Sequence, residues 1–599
     1  MPDIINADMD EIKRTADFLE AIITSYMNTS ARKFDDKTIH VTELIQCPRK
    51  AIIDRIYRAA FFTVDEYLAM LVGKGLHEYF GELEVLPGSP EVTCEHKFKI
   101  HRRPIRRKLI GSIDLVSSRG IYELKSVKQF EALVTTDEYE NFDFSISYGR
   151  TRHKMPIYNH LDQLFLYLLL RNRRLGNIIY FSKKQAQGIA AYRIKYDPKD
   201  EFDLNAWKKN FNITRARMVT MNRGLDEVKN IDKKNVKEIV KLVNALPAEP
   251  SGLCSFCMFG GYASNSRKRG RKKNPNQLEK FFFEQGCDVS ITDRKSYKKM
   301  IFQLPRVKYD GEIPSDGFVF DHSLVKKVQK KLAMEATKTI FKPYNYRLLL
   351  GCPRLTFYAN TENFDEMLLS HDRSRRLIAY STIRHALVEH VKKCLTEENN
   401  DNINVQVNEI NKVLLYKALT GTGMPDPDND PEEIAYDMPI TIIDDVPTLI
   451  IPVTETSDPR IPYETHVQEL ILIKFMLNVD PQIIYFPTRT PQRHRRETGI
   501  HEAHIRVFRL NEDKDSELTK NVIEAIKKRM VMATTPRDPE VKVWCNWCPL
   551  LDMKIDGKEV CPEGNSVYGE GTRRTAWVTS AAHEKSINDE DISIEDTTW

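Results

Sequence analysis

Apolar positions along this chain fall into helix-like and strand-like runs that occur in the same order twice. Between residues 68 and 83, Leu68, Leu71, Leu76, Tyr79, Phe80 and Leu83 recur at three- and four-residue spacing, which predicts an amphipathic helix. Val92–Phe98 is strand-like. Leu109–Val116 and Ile121–Val127 are β-rich and flank Ser117-Ser118-Arg119-Gly120, a turn signal, so together they predict a hairpin. Asn159–Arg173 is helical again. Its apolar face carries Leu161, Leu164, Phe165 and Leu168, and Gln163 and Tyr167, four apart, fall together on the neighbouring face.

The second half repeats this punctuation. Cys47-Pro48-Arg49 precedes an aromatic-rich helix and recurs as Cys352-Pro353-Arg354, 305 positions later. His160-Leu161 and His466-Val467 each open an apolar helix, 306 apart, and Ile178-Ile179-Tyr180-Phe181 recurs as Ile483-Ile484-Tyr485-Phe486, 305 apart. The CxxC of Cys254 and Cys257 returns as Cys545 and Cys548, and His77 as His385. Matches that keep both order and spacing predict a tandem duplication of a domain of about 250–300 residues. The expected first copy is residues 1–265. Residues 266–320 read as a basic linker or insertion, because 266–276 are rich in Arg, Lys and breakers. The second copy is expected at 321–570, followed by an acidic, disordered tail at 571–599.

Composition adds limits rather than identity. A chain of 599 residues suits two or three domains, and 41% hydrophobic with 29% charged residues is ordinary for a soluble globular protein. The net charge of +5, from 90 basic and 85 acidic residues, is too small an excess to indicate nucleic acid by itself. The N-terminus shows no basic stretch leading into an apolar one, and the longest apolar run, Leu164–Leu170, is too short to span a bilayer. The expectation is a soluble intracellular protein with no membrane partner, cytoplasmic, or nuclear in a eukaryotic or viral setting. Its ten cysteines then point to metal or cluster ligation wherever they are patterned, rather than to disulfides.

Candidate chemistry lies in the hairpin. Side chains alternate along a strand, so Glu123 and Lys125 share a face. A turn centred on Ser118-Arg119 sets Asp114 opposite Glu123, at a Cβ separation of roughly 4.5–5.5 Å. Opposed carboxylates destabilise a sheet unless a cation lies between them, and hard oxygen ligands suit Mg²⁺ or Mn²⁺. Lys125 is placed to hold a water or to stabilise charge on a phosphate. An isolated E-x-K is common and would read as a solvated strand face; the aspartate in register is what raises it above that. His77, in Gly73-Lys74-Gly75-Leu76-His77-Glu78, and Glu95 are further candidate metal ligands.

Taken in order, these motifs resemble a known family. A helix with G-x-x-x-H-E, then G-x-[ILV]-D (Gly111–Asp114), then E-x-K (Glu123, Lys125), then Q-x-x-x-Y (Gln163, Tyr167) is similar to the RecB-type exonucleases of the PD-(D/E)xK superfamily, in particular the small iron–sulfur exonucleases associated with CRISPR adaptation and their viral relatives. The resemblance covers about residues 40–260. It implies a restriction-endonuclease-like α/β (α+β) fold, with a mixed central sheet flanked by helices, here in tandem duplicate with a cysteine-ligated cluster in each copy. It further implies that His77, Asp114 and Glu123 hold the divalent metal, that Lys125 assists hydrolysis, and that the Gln163–Tyr167 helix meets DNA.

The same resemblance implies an iron–sulfur cluster held by one early and three late cysteines. Cys47, Cys254 and Cys257 fit. The usual fourth position after the CxxC carries no cysteine, and the next is Cys287, thirty residues past Cys257. The second half offers Cys352, Cys545, Cys548 and Cys561. Four thiolates suit a [4Fe–4S] cluster or zinc, and the resemblance favours iron–sulfur, in a structural role.

The second half lacks the acids. The Asp114 position falls on Met424, with Asp426 two further on, and the strand Leu449–Val453 has no E-x-K. It reads as a degenerate copy. The leading expectation is a metal-dependent deoxyribonuclease, an exonuclease of replication, recombination or end processing, acting on single-stranded or end-containing duplex DNA. The alternative is a non-catalytic DNA-binding, structural or accessory protein on an inherited nuclease fold. No GxxxxGK[ST] occurs, so any helicase partner is a separate chain. The basic run Arg267–Lys273 suits phosphate contacts, a solvated loop or a nuclear-import signal equally.

Overall fold

The computed structural model describes residues 4–6, 36–57, 73–81, 88–100, 103–118, 120–127, 130–132, 144–148, 151–154, 156–182, 189–248, 257, 259, 277–288, 311–339, 352, 354–355, 358, 386, 405–410, 438–443, 446–453, 464–477, 479–487, 506–510, 516–532, 548, 550, 554–555 and 558–562. Its strands, in chain order, are β1 Ile4–Asn6, β2 Thr38–His40, β3 Ser89–His96, β4 Lys99–Ile100, β5 Arg103–Pro104, β6 Lys108–Ser117, β7 Gly120–Val127, β8 Phe130–Ala132, β9 Phe144–Tyr148, β10 Thr151–Lys154, β11 Leu175–Ser182 and β12 Ile189–Lys195. Then follow β13 Phe318–Phe320, β14 Val405–Ile410, β15 Met438–Ile443, β16 Val446–Val453, β17 Gln482–Pro487, β18 Arg506–Leu510, β19 Lys554–Ile555 and β20 Lys558–Glu559. The helices are α1 Val41–Leu44, α2 Pro48–Tyr57, α3 at residues 73–81, α4 Tyr158–Leu170, α5 Glu201–Val228, α6 Val236–Asn244, α7 Gln277–Gln285, α8 His322–Thr339, α9 Glu464–Leu477 and α10 Glu517–Met532.

Two mixed sheets carry the fold. The first runs β13-β12-β11-β7-β6-β2, with β3 also paired to β6. The second runs β1-β18-β17-β16-β15-β14. In each, an antiparallel hairpin is followed by a helix and a parallel strand: β6–β7, α4, β11 in the first and β15–β16, α9, β17 in the second. A parallel return needs a crossover, and the apolar helix supplies it while covering the sheet. Among the described residues no helix is long and apolar enough to cross a membrane.

The first core forms where α4, α2 and α5 pack on the sheet. Leu161, Leu164, Phe165 and Leu168 face it as their spacing predicts, together with Ile113, Ile121, Ile178 and Tyr180 of the strands. Leu166 and Tyr167 are buried as well, so α4 is covered on more than one side, which explains a run apolar all round. Gly176 makes that approach possible: a Cβ there would lie 2.8 Å from a methyl of Leu164. The segment 266–320, expected as a linker, supplies Leu278, Phe281 and Phe282 to this core and β13 to the edge of its sheet. The 266–276 run itself and the 571–599 tail lie outside the described residues.

Strand β6 is the element that places the site. Strand β3 pairs with it from Leu109 to Val116, so β2 and β7 must share its other edge. There β2 takes Lys108–Ile110 and β7 takes Leu115–Ser117. Between those two partners the edge from Gly111 to Asp114 pairs with no strand among the described residues. The sheet forks at this point, and the fork holds the charged residues.

Candidate active site

The hairpin register is the one the turn predicts: Leu115 opposes Tyr122, Val116 opposes Ile121 and Ser117 opposes Gly120. The ladder ends there. Asp114 and Glu123, next in register, are therefore not a ladder pair, which differs from the simple hairpin expected from sequence. The Asp114 carboxylate turns into the fork instead. Its Oδ2 accepts the Leu124 backbone N–H at 2.7 Å and its Oδ1 meets Nδ1 of His77 at 3.1 Å. Helix α3 delivers His77, held against the sheet by buried Leu76, Tyr79 and Phe80, with Phe80 edge-on to Phe181 of β11.

Glu123 is buried, with its side chain 2% exposed, and Lys125 donates to its Oε1. Its second oxygen, Oε2, is buried and among the described residues has no hydrogen-bond partner. Burial first and the Asp114 charge second push the Glu123 pKa up to about 8, against the pull of Lys125. For Asp114, burial acts upward but is outweighed by the His77 charge and hydrogen bond, the Lys125 charge and the Leu124 amide, and its pKa lies below the usual carboxylate value. For His77, burial acts downward and Asp114 outweighs it, so the imidazole stays protonated to higher pH than a free one. Two carboxylates in one fork thus have their pKa values pushed apart, a pattern typical of catalytic sites.

The donor set fits a hard divalent cation in kind. Two carboxylates and an imidazole line one fork, and among the described residues the buried Glu123 Oε2 meets no hydrogen-bond donor. Asp114 is engaged with His77 and Glu123 with Lys125, and among the described residues no three His, Cys, Asp or Glu side chains stand at metal-binding spacing. Glu95 does not join them. Its strand register sets it opposite Ile110, four residues along β6 from Asp114, where it pairs with Lys108 and is 57% exposed.

Gln163 and Tyr167 are interior. Gln163 Nε2 donates to Tyr167 Oη at 3.0 Å, and both residues are buried. The Tyr167 ring lies over Gly111, where a Cβ would come within 2.6 Å of Cε1 and 2.9 Å of a Val41 methyl. The glycine three residues before Asp114 is therefore required by close packing of α4 on the open edge of β6. Gly111→Ala is expected to cost about 1–3 kcal/mol by overpacking, read as a lowered urea midpoint with an unchanged slope.

A pair without an assigned role in the sequence reading also borders the site. His160 Nδ1 lies 3.0 Å from Tyr180 Oη, which also accepts the Ile157 backbone N–H at 3.0 Å. Tyr180 is the register partner of Lys125 in the β11–β7 ladder. Burial, then the Lys125 charge, hold the His160 pKa well below its ordinary value, so the ring is neutral. The signal was the recurrence of both residues as His466 and Tyr485, whose Nδ1 and Oη stand at 2.9 Å.

One late cysteine lies near each Cys-Pro-Arg segment. Arg49 is buried and donates to Leu246 O at 2.7 Å, to Asn244 O at 2.7 Å, and to the Sγ of Cys287 at 3.6 Å. Cys287 N donates to Phe259 O at 2.7 Å, two residues past the buried Cys257. The Arg49 guanidinium thus ties α2 to the end of α6 and to Cys287, whose backbone N–H in turn meets Phe259. In the second half Arg354 donates to Val560 O at 3.3 Å, next to Cys561, and Cys352, Cys548 and Cys561 are buried. Cys254, Cys545, His385, Met424 and Asp426 lie outside the described residues.

No family model matches the chain. Among solved structures, the crystal structure of SSO0001 matches with 20% identity and a TM-score of 0.24, covering 35% of this chain and 86% of that one. Over 167 residues, 28% of this chain and 72% of the relative, the sequence is 25% identical to the CRISPR-associated exonuclease Cas4 of Saccharolobus solfataricus. The chain is thus distantly similar, over less than a third of its length, to a Cas4 exonuclease.

Proposed function

We propose that the chain is a metal-dependent deoxyribonuclease that hydrolyses phosphodiester bonds from DNA ends, with its site at Asp114, Glu123, Lys125 and His77. The observation that carries this reading is the buried Glu123 Oε2, without a hydrogen-bond partner among the described residues, beside the Asp114 charge and with the Lys125 ammonium against its other oxygen. Burying two carboxylates together is costly unless the site gains positive charge when it works. The similarity to a protein named an exonuclease supports DNA as the substrate.

Asp114, Glu123 and His77 would hold Mg²⁺ or Mn²⁺, which when bound supplies water activation and neutralisation of phosphate charge. Lys125 is anchored by Glu123 and 17% exposed, so its ammonium can reach a phosphate oxygen or the attacking water while its stem stays fixed. The Leu124 amide fixes the Asp114 carboxylate so that it does not swing out of the fork. Neutral His160, through Tyr180, sits behind Lys125 and adds no competing positive charge. Gln163 and Tyr167 act on the site by packing α4 against Gly111 rather than by touching substrate.

Cys47, Cys254, Cys257 and Cys287 are proposed to hold a [4Fe–4S] cluster, or zinc, in the first half, and Cys352, Cys545, Cys548 and Cys561 a second. The Arg49 guanidinium beside Cys287 Sγ favours a thiolate there, which is what ligation requires. Anaerobically purified protein with a visible brown absorbance indicates iron–sulfur, since Zn²⁺ with its full d shell is colourless.

The test of the nuclease reading is to offer end-labelled linear and closed circular DNA, single- and double-stranded, with Mg²⁺ or Mn²⁺. Linear DNA is expected to be degraded, circles spared and a chelator to stop the reaction. Failure to cleave any of these substrates under anaerobic, metal-replete conditions would remove the proposal.

A further inference from the structure

We infer that the chain is a fused, strand-exchanged dimer: each half donates its first strand to the edge of the other half's sheet, so that the degenerate half completes the sheet on which the candidate site is built. This goes beyond the nuclease reading and does not depend on it.

From the outer edge to the hairpin the two sheets correspond in order and direction, β13-β12-β11-β7-β6 with β1-β18-β17-β16-β15. Tyr192 of β12 opposes Ile178 of β11, and Phe508 of β18 opposes Ile483 of β17, in the tetrapeptide common to both halves. Tyr192-Arg193-Ile194 therefore corresponds to Phe508-Arg509-Leu510. The ring contacts agree: Tyr180 and Tyr192 stand at 6.1 Å and 82°, Tyr485 and Phe508 at 5.8 Å and 81°. So do the helix anchors, with His160 and Tyr180 rings at 5.5 Å and 42°, and His466 and Tyr485 rings at 5.6 Å and 46°.

Within that frame the outermost strands cross over. On the first sheet, Phe320 opposes Tyr192, Val319 opposes Arg193 and Phe318 opposes Ile194. On the second, Asn6 opposes Phe508, Ile5 opposes Arg509 and Ile4 opposes Leu510. The two edge strands thus occupy the same register on equivalent partners. Yet β1 opens the first half in sequence, and β13, three residues ending at Phe320, leads without a break into the second half. Strand β13 runs directly into α8, whose first turn is capped by Asp321 accepting the Leu324 N–H at 2.9 Å. That helix buries Leu324, Val325, Val328 and Leu332, packing beside β12. Without these donated strands β12 and β18 would be open edges that invite pairing between chains.

The experiment uses the full chain and peptide-resolved amide hydrogen exchange. Asp321 N donates to Ala191 O at 2.9 Å, which by the two-residue alternation of an antiparallel ladder turns the Val319 N–H toward β12. Val319→Pro removes that bond, Val319→Thr keeps it, and Ile5→Pro removes the equivalent bond on the other sheet. Val319→Pro is expected to speed exchange about tenfold in residues 189–195 and to leave 506–510 unchanged. Ile5→Pro is expected to do the reverse, and Val319→Thr neither. Should a proline variant not fold, the full chain lacking residues 1–7 reads the same effect at 506–510. Acceleration of 189–195 by the change at Ile5 would show that each strand docks on its own half, and no acceleration at 506–510 would equally overturn the exchange.

Discussion

Asp114→Asn is expected to lower the rate of DNA cleavage by about 10³-fold while leaving the fold intact. The change removes one negative charge from the fork and keeps an oxygen that accepts the Leu124 N–H, now bonded at 2.7 Å, so the strand that carries Glu123 and Lys125 stays in place. The pair with His77 is mostly buried, its partners 29% and 18% exposed, but the asparagine side chain still offers Nδ1 a hydrogen-bond partner, so the loss is expected to cost only about 1 kcal/mol of stability. Cleavage and stability are thereby separated: a rate lost with a urea midpoint only slightly lowered is the signature of a group that acts on the reaction. Lys125→Ala should lose comparable rate, but with some destabilisation, because Glu123 would be left buried without its cation. Cleavage near the parent rate in both variants would exclude the fork as the site.

The hairpin and its register were legible because their determinants are local: turn residues at Ser118-Arg119 and alternation on either side fix which residues oppose. The fork was not legible. It depends on β2, more than sixty residues earlier in the chain, taking the near end of the same β6 edge that β7 leaves at Leu115. Glu95 was misplaced for a related reason. A strand-like stretch shows which side chains share a face, but only the pairing of Glu95 with Ile110 fixes how far along β6 it sits. Gln163 and Tyr167 looked like a polar stripe because the 161, 164, 165, 168 spacing suggests one buried face. The unbroken apolar run that follows was the sign that α4 is buried more widely, and its closeness to β6 is set by Gly111. Recurrence between the halves pointed to His160 and Tyr180 before their contact was known. It could not show the crossing of β1 and β13, since both are three residues long and carry no motif.

Adding Mg²⁺ to the metal-free protein at neutral pH should release close to one proton from Glu123, with a further contribution from His77. A carboxyl with its pKa near 8 is mostly protonated at pH 7, and a cation binds only the ionised form. The sign for stability follows from the same shift. Between the ordinary glutamate value of 4.5 and about 8, the folded protein holds a proton that the unfolded chain does not. Glu123 therefore favours the metal-free fold most below pH 4.5, and this contribution is lost as pH rises through 8. Mg²⁺ reverses the trend, because its affinity climbs as Glu123 ionises, so the stabilisation it confers grows over the same window. Calorimetric titration in two buffers of different ionisation enthalpy measures the released protons directly, and Glu123→Gln should remove its share while leaving that of His77. Proton release that is absent in the parent protein, or unchanged by Glu123→Gln, would mean that Glu123 is not where the cation binds, and the buried Oε2 would then need another partner.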